Sequence, residues 1–593
     1  MPEKSRYNDF RQLRILSILA EKEEMIMRRT LSLTLALMLL IGLVPQSNPM
    51  IYIGKAVAAE VEDQSSGMPA SLITTFVDSP KTSRAFTWYT DDSVVESIVQ
   101  AVPVSDYAPG DDSVFYGESA MEAYGQCDPL VIDASGATRN IHKVNLTGLQ
   151  PGTTYFYRVG GNGYFSEVFS FTTESEQGES FTFFNMTDTQ AYNDKDYSTY
   201  RNYANVLANA VRNYPEGAFV IHSGDAVINN NLEHYDYLYQ LISPYSATLA
   251  MMITPGNHEL QKDTMSFVKG LDNLRTHYQF PENGPEGAEG TVYSFDYGNA
   301  HIVILDSNQT VNYSAQIAWL KKDMQSSDKQ WKILSIHTGP YNNYGMGKTN
   351  LIAALDELDV DLVLFGHNHA FLRSNPIKNK MTDSSQPGYF FQDKEGTIYY
   401  SAGCSGGSAG AGGGSDGAAT SETKMARTYF SVMDYDAARG QLYAAITVTS
   451  ESITVRTYAL PDDKLVDEFI ITHTHEYSSE VSKPTCTERG YTTYGCSCGD
   501  SYVADFVDAL GHSYDDGTCT QCGELDPDYH IPGDINGDGE LNNKDVTRLF
   551  RYLSCYDVDA VEASLDVNGD GDVNNKDLIR LFRYLSGWDV EIY

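Results

Sequence analysis

Five short apolar runs between residues 181 and 365 are each followed by polar residues. Their length and their polar flanks are typical of buried strands. The runs are Phe181 to Met186, Ala218 to Ile221, Leu249 to Ile253, Ile333 to Ile336 and Leu362 to Phe365. Between them, Tyr200 to Arg212 and Ala315 to Met324 carry apolar residues at helical spacing. This alternation predicts an α/β domain over residues 177–473.

The polar residues after these strands form five motifs. They are Asp188-Thr189-Gln190, Gly224-Asp225, Gly256-Asn257-His258-Glu259, His337 and Gly366-His367-Asn368-His369. Ligands bind at the carboxyl ends of strands in open α/β sheets, so we expect these side chains to meet in one crevice. Carboxylates, amides and imidazoles without a thiol suit iron, manganese or zinc. A central carboxylate such as Asp225 can bridge two ions about 3.5–4 Å apart, which indicates phosphoester hydrolysis.

Each motif alone also has an ordinary structural explanation. An Asp or Asn after a strand commonly caps a helix or forms a turn. The occurrence of all five motifs in order, including a Gly-His-x-His, favours a functional site.

The order of the motifs resembles that of the calcineurin-like metallophosphoesterases. Flanking segments resemble the purple acid phosphatase branch of that family, and they are Tyr293 to Gly298, Gln316 to Leu320 and Gly396 to Tyr400. The resemblance covers about half of the chain. It implies a multidomain protein that includes an N-terminal β-sandwich and an α/β four-layer metallophosphoesterase domain.

The resemblance also implies roles for individual residues. The first metal would be bound by Asp188, Asp225 and His369, and the second by Asp225, Asn257, His337 and His367. The catalytic residues would be the bridging Asp225 and His258, a substrate-facing acid. Gln190 stands where many relatives have His, and its amide oxygen would be a weaker, neutral ligand of the first metal.

Ile228 is the sharpest departure from the purple acid phosphatase pattern. Those enzymes place a Tyr three residues after the bridging Asp to bind ferric iron, and Ile cannot do so. We therefore expect two divalent or trivalent metals, iron, manganese or zinc, without the redox chemistry of that branch.

The expected function is hydrolysis of phosphate monoesters by attack of a metal-bound hydroxide. A phosphodiesterase or nucleotidase is the alternative enzyme. A docked binding protein with an inactive metal site is the alternative from another class.

Residues 66–176 read as short alternating strands separated by turns, as in a small β-sandwich. The segment from Leu149 to Tyr157 resembles the corner of a fibronectin type III domain, where a tyrosine bonds back to the backbone. Purple acid phosphatases carry such a domain at this place, which implies a partner of the catalytic domain. An independent adhesion module is the alternative.

Residues 1–59 have the pattern of a leader with a secretory signal peptide. Met27-Arg28-Arg29 is basic, Leu31 to Val44 is apolar, and Ala56-Val57-Ala58 is a cleavage candidate. The apolar stretch is shorter than the roughly 20 residues of a permanent membrane span. We expect a secreted, extracellular protein. Its net charge of −39 argues against a nucleic-acid-binding surface.

Residues 475–526 are rich in cysteine. Cys-Ser-Cys-Gly and Cys-Thr-Gln-Cys-Gly resemble paired zinc knuckles, with Cys496, Cys498, Cys519 and Cys522 as candidate ligands of a structural zinc. Disulfides are the alternative in an extracellular chain. His512 could replace a missing ligand.

Two similar loops lie within residues 530–593, each with oxygen ligands at the positions of a calcium loop and glycine at position six. The candidate calcium ligands are Asp534, Asn536, Asp538, Glu540 and Asp545, and Asp566, Asn568, Asp570, Asp572 and Asp577. Each loop leads into nearly the same helix, Val546 to Ser554 and Leu578 to Ser586, and such a duplication is unlike chance.

The duplicated loops resemble a type I dockerin. The resemblance implies an α-helical calcium-binding dockerin, which follows the small Cys-rich module. It also implies two calcium ions and, as a partner, a cohesin domain of a scaffold or cell-surface protein. Exposed positions around Asn543-Lys544 and Asn575-Lys576 would contact it. A purely structural calcium clip is the alternative.

Overall fold

The computed structural model describes most of the chain after residue 66. The described residues are 67–131, 138–176, 180–190, 197–260, 272, 274–308, 313–341, 348–385, 388–407, 429–434, 440–474, 477–496, 501–515, 517–527 and 529–593. The predicted leader, residues 1–59, lies outside them. The chain divides into two compact units, one up to Thr472 and one from His473 onwards.

The described part of the first unit is built from strands and four long helices. The strands are β1 Ala70–Thr75, β2 Ser83–Thr90, β3 Ile98–Pro103, β4 Met121–Tyr124, β5 Gln126–Val131, β6 Thr138–Thr147, β7 Thr154–Gly161, β8 Tyr164–Phe165, β9 Phe169–Thr172, β10 Ser180–Met186, β11 Phe219–His222, β12 Ala250–Ile253, β13 Tyr293–Tyr297, β14 Ala300–Leu305, β15 Trp331–Ile336, β16 Leu362–Leu364, β17 Phe371–Ser374, β18 Ile377–Lys378, β19 Met381–Thr382, β20 Phe390–Gln392, β21 Ile398–Ala402, β22 Phe430–Asp434, β23 Leu442–Thr449, β24 Ser452–Ala459 and β25 Lys464–Thr472. The long helices are Ser198–Asn213, Leu232–Ser246, Tyr313–Ser326 and Lys348–Leu358, and a single turn spans Asn257–Leu260.

Two large sheets face each other in the first unit. Within the described residues, one has the order β20-β25-β24-β23-β10-β11-β12-β1-β2-β6-β5 and the other β13-β14-β15-β16-β21-β17-β22. Their facing sides share a core, in which the rings of Phe219 and Phe295 are 5.7 Å apart. The helix Ser198–Asn213 packs on the other face of the larger sheet, where the rings of Tyr203 and His222 are 5.5 Å apart. The helix Tyr313–Ser326 buries Leu320 in a second core beside the smaller sheet.

The N-terminal β-rich part shares the larger sheet. β1 pairs in parallel with β12 through Thr74 and Ala250, and β2, β6 and β5 continue the sheet beyond it. A further sheet, with the order β4-β3-β7-β8 and with β9 paired to β7, packs on β2 and β6. At the expected corner, the Tyr155 hydroxyl accepts a hydrogen bond of 2.8 Å from the Gln150 N–H. The N-terminal strands thus extend the sheet that carries the site motifs.

The second unit contains short strands followed by two helices. The strands are β26 Tyr477–Ser482, β27 Gly490–Cys496, β28 Ser501–Val507, β29 Tyr514–Asp515 and β30 Thr518–Cys519. The helices Asn543–Leu553 and Asn575–Leu585 begin at matching capping boxes, closed by Asp545 and Asp577. They enclose a small core of Ile535, Leu549, Leu565, Val567 and Leu581.

Candidate metal centre

The five predicted motifs follow strands of both large sheets. β10, β11 and β12 are parallel neighbours in the larger sheet, where Met186 pairs with His222 and His222 with Ile253. β15 and β16 are parallel neighbours in the smaller sheet. The carboxyl ends of five strands from two facing sheets therefore position one group of polar side chains.

Four of the candidate ligands adopt a left-handed backbone conformation. The φ angles are 54° at Asp188, 56° at Asp225, 74° at His367 and 49° at His369. Residues other than glycine rarely adopt positive φ, and such strain is concentrated at functional sites. The local geometry is that of chain turned sharply to present side chains.

Two motif glycines allow close packing around the carboxylates. A Cβ atom at Gly256 would lie 2.3 Å from the Asp225 Oδ1, and one at Gly366 would lie 2.7 Å from the Asp188 Oδ2. No side chain fits at either distance. These glycines let the backbone approach the carboxylates.

Asp225 lies at the centre of the first ligand group. One ligand atom each from Asp225, His337 and His367 lie within 4.8 Å of one another. The Asn257 Oδ1 is 3.2 Å from the His337 Nε2 and 2.8 Å from the His367 Nδ1. The four residues predicted to bind the second metal thus converge.

A second ligand group adjoins the first. The His369 Nε2 is 3.4 Å from the Asp188 Oδ1 and 2.8 Å from the Gln190 Nε2. The Gln190 Nε2 is also 3.4 Å from the Asp225 Oδ2, which links the two groups. The buried Gln190 Oε1 has no hydrogen-bond partner in the described part of the chain. Oxygen and nitrogen of an amide are interchangeable by rotation, so this side chain can direct an oxygen toward a cation.

His337 is oriented by the backbone. Its Nδ1 donates to the Ser223 carbonyl oxygen at 2.8 Å, because a carbonyl oxygen can only accept. The Nε2 therefore faces Asp225, at 3.1 Å from the Oδ2. A metal-binding imidazole is usually held in this way through its other nitrogen.

The charges of the group also fit cations. Burial and the nearby Asp225 raise the pKa of Asp188 to about 8, although His337 acts against this. Burial lowers the pKa values of His367 and His369 to about 4, so both imidazoles are neutral at pH 7, as metal ligands must be. Burial also acts to lower the pKa of His337, but Asp225 outweighs it and raises the value to about 10, so a proton on His337 here offsets the carboxylate charge that a cation would otherwise offset. A bound cation would offset the buried carboxylate charge.

Glu259 has a role that the sequence did not reveal. Its buried carboxylate accepts hydrogen bonds from the backbone N–H groups of Asp225, Ala226, Val227 and Gly256, at 2.7 to 3.2 Å. It thereby joins the Gly-Asp and Gly-Asn-His-Glu loops. The only sequence signal for this role was the position of Glu259 next to His258, because its four hydrogen-bond donors are backbone groups.

His258 lies at the edge of the group. Its Nδ1 donates to the Ile228 carbonyl oxygen at 2.8 Å, and its Nε2 is 3.9 Å from the Asp225 Oδ2. The side chain keeps 19% of its surface exposed, whereas that of His337 keeps 0%. His258 alone of these two can meet a molecule from solvent. The Ile228 backbone serves to orient it.

The two calcium-type loops have matching geometry. Asp534 accepts from the N–H groups of Gly537 and Gly539 at 2.9 Å, and Asp566 accepts from those of Gly569 and Gly571 at 2.9 and 2.8 Å. At position three, Asn536 and Asn568 bond to the buried Asp545 and Asp577. At position five, Asp538 and Asp570 pair with Lys544 and Lys576, and Glu540 and Asp572 at position seven are exposed. Side-chain oxygens that could bind a cation line both loops.

The cysteine cluster differs from the predicted set. The structure groups Cys519 and Cys522 with Cys486 and His512. Cys496, the last residue of β27, is not in this group, and Cys498 lies outside the described residues.

Three family models match the chain. Residues 69–173 match the purple acid phosphatase N-terminal domain, residues 181–371 the calcineurin-like phosphoesterase domain and residues 532–586 the type I dockerin domain. The fold and the ligand group, together with the second match, define a metal-dependent phosphoesterase domain.

The curated relatives that the chain resembles include purple acid phosphatases. Purple acid phosphatase 21 of Arabidopsis thaliana is 27% identical over 261 residues, which cover 42% of this chain and 56% of that protein. Purple acid phosphatase 23 of the same plant is 25% identical over 376 residues, covering 54% and 78%. The chain thus spans between about half and about three quarters of the length of these two relatives.

A solved structure has the same fold. The purple acid phosphatase PPD1 from yellow lupin seeds superposes with a TM-score of 0.55 at 16% identity, covering 69% of this chain and 75% of that one. The two proteins therefore share a fold, and this chain additionally has a match to the type I dockerin domain at residues 532–586. Among the described helices, none is long and apolar enough to cross a membrane.

Proposed function

We propose that this protein is a secreted, dinuclear-metal phosphoesterase that hydrolyses phosphate monoesters. The observation that carries the proposal is the convergence of two adjoining ligand groups on Asp225. One is Asp225, Asn257, His337 and His367, and the other is Asp188, Gln190 and His369. Its domain is an α/β sandwich of four layers, in which helices flank the two facing sheets.

The metals and the protein side chains would have different roles in the reaction. When bound, two cations activate water and neutralise charge on the phosphoryl oxygens. Asp225 holds both ligand groups together, and the Ser223 carbonyl oxygen fixes the orientation of His337. In its protonated form, His258 carries a proton on the Nε2, at the exposed edge of the group, where it can be donated to the departing alkoxide.

The substrate class can be tested with paired aryl esters. Purified full-length protein, supplied with iron, manganese or zinc, would be assayed with 4-nitrophenyl phosphate and with bis(4-nitrophenyl) phosphate. We expect faster hydrolysis of the monoester. Faster hydrolysis of the diester would favour a phosphodiesterase instead.

An inactive, metal-binding protein is the second candidate. Gln190 and Ile228 depart from the family pattern, and one relative, 26% identical over 302 residues, is described as a probable inactive purple acid phosphatase 1. A protein that binds both metals but hydrolyses neither ester would support this candidate.

The C-terminal domain supports docking to a cohesin. The two helices repeat the same sequence pattern and leave Phe550 and Phe582 more than half exposed. Near-identical helices permit binding in two orientations. Binding of full-length protein to type I cohesins in calcium and in chelator would test this, and calcium-independent binding would contradict it.

A further inference from the structure

The described residues between 477 and 527 form almost no hydrophobic core. Large apolar side chains such as Val481, Phe506 and Leu510 are more than half exposed. The buried residues in the described part of this segment are Cys486, Gly490, Thr492, Gly517 and Cys519. A segment with so little apolar burial needs another source of stability, and in small domains that source is a disulfide or a metal.

Backbone hydrogen bonds bring distant parts of this segment together. The N–H groups of Leu510 and Gly511 donate to the carbonyl oxygens of Thr485 and Cys486 at 2.9 and 3.0 Å. These bonds place Cys486 beside His512. A tight turn, closed by Gly523 N–H donating to the Cys519 carbonyl oxygen at 3.0 Å, presents Cys519 and Cys522 together.

The four side chains have the dimensions of a metal site. One ligand atom each from Cys486, His512, Cys519 and Cys522 lie within 4.8 Å of one another. The Sγ atoms of Cys486 and Cys519 are 3.7 Å apart, and the Cys522 Sγ is 3.4 Å from the His512 Nδ1. Tetrahedral zinc, with Zn–S bonds of about 2.3 Å and Zn–N bonds of about 2.0 Å, requires separations of about 3.8 Å and about 3.5 Å. The observed distances match both.

Surrounding groups orient these ligands. The His512 Nε2 is 3.4 Å from the Glu524 Oε2, which directs the Nδ1 toward the cysteines, as a carboxylate commonly does for a metal-binding histidine. The backbone N–H groups of Cys522 and Gln521 lie close enough to the Cys519 sulfur to favour its thiolate form. Successive N–H groups of this kind stabilise a negatively charged ligand.

We propose that Cys486, His512, Cys519 and Cys522 form a closed structural zinc site. Three sulfurs and one imidazole nitrogen fill a tetrahedron, which leaves no position for a substrate. A Cys486–Cys519 disulfide is the competing arrangement, and it would bring those sulfurs to about 2.05 Å. A disulfide would not explain why His512 lies between Glu524 and the Cys522 sulfur. The site is independent of the proposed phosphoesterase activity.

Cobalt substitution of the full-length protein tests the site. Cobalt bound to thiolates gives an intense sulfur-to-cobalt charge-transfer absorption, which the thiol-free ligand groups of the first unit cannot give. We expect this absorption to saturate at one ion per chain and to disappear on addition of zinc. Its absence from protein with free thiols would overturn the proposal. So would a Cys486–Cys519 disulfide, detected by mass spectrometry of unreduced peptides.

Three variants assign the ligands. Cys522→Ser should remove one equivalent of bound zinc, whereas Cys555→Ser, at an exposed cysteine outside the group, should not. His512→Cys preserves four ligands, so it should retain zinc and strengthen the cobalt absorption. If Cys522→Ser fails to fold, the zinc content and cobalt absorption of His512→Cys still test the ligand set. Loss of zinc from Cys555→Ser would contradict this set, and so would full retention of zinc in Cys522→Ser.

Discussion

The two units hold their candidate metal ligands with very different amounts of hydrophobic core. In the first, Asp188, Asp225 and His337 are buried at the ends of strands that belong to two large sheets with a shared core. In the second, Asp545 and Asp577 are also buried, but Cys522 is exposed, and Asp538 and Asp570 keep a third of their side-chain surface in water. In the described part of this unit, the core around the candidate ligands is small or almost absent.

This difference separates two uses of metal. Where the protein core positions the ligands, the fold does not need the ion, and the ion serves catalysis and not folding. Where ligands lie on loops with little core, the binding energy of the ion is folding energy. We therefore expect metal removal to inactivate the first unit without unfolding it, and to unfold the second.

Asp225→Asn should have the largest effect on catalysis. The change removes the negative charge that both ligand groups share, so metal content and monoester hydrolysis should fall together, with hydrolysis reaching background. Circular dichroism should show that the fold survives. Asp328→Asn, at an exposed site, is the matched control. Full activity in Asp225→Asn, or global unfolding, would break the proposed separation.

His258→Ala should have the next largest effect. His258 contacts the Ile228 carbonyl oxygen and lies at the exposed edge, so metal content should remain near normal. Turnover should fall by about 10²–10⁴, the usual contribution of a positioned acid. His258→Asn can still donate to Ile228 but has no proton to transfer. Normal turnover in His258→Asn would show that this residue only positions its neighbours.

Glu259→Gln should cost less. Gln offers one acceptor oxygen and places an NH₂ group against backbone N–H donors that now reach a carboxylate. Loss of such an outer support lowers metal affinity or activity by about 10–100-fold. A metal titration should show weaker binding that added metal restores in part. Glu357→Gln, at an exposed ion pair with Lys321, is the control and should behave as wild type.

The sequence predicted the elements of the site better than their arrangement. The strand from Phe181 to Met186 is observed from Ser180 to Met186, and the helix from Tyr200 to Arg212 from Ser198 to Asn213. Apolar runs and helical spacing are local signals, so these bounds could be read. The calcium-type loops are also a local signal, because all candidate ligands of each loop lie within one short segment.

The sequence did not show which strands belong to which of the two sheets. β12 and β15 are both buried apolar strands that precede a polar motif, and only non-local pairing assigns them to different sheets. The same limit explains the cysteine cluster. Cys486 and His512 meet through backbone hydrogen bonds between separate turns, whereas spacing alone favoured Cys496 and Cys498.

Removal of calcium should have the smallest effect on catalysis and a large effect on the second unit. Its helices Asn543–Leu553 and Asn575–Leu585 enclose a small core, and each empty loop leaves carboxylates close together. Without calcium we expect these helices to lose amide hydrogen-exchange protection, while β10 and β11 stay protected.

Monoester turnover should stay unchanged over the same calcium titration. Calcium added back without any transition metal should restore protection, which excludes loss of metal from the first unit as the cause. A variant carrying Asp534→Ala and Asp566→Ala should show the same exchange pattern without chelator, because position one of both loops is lost. If these helices stay protected after calcium is chelated, their small core is sufficient to fold them. Turnover that falls in step with the exchange would mean that the two units are coupled.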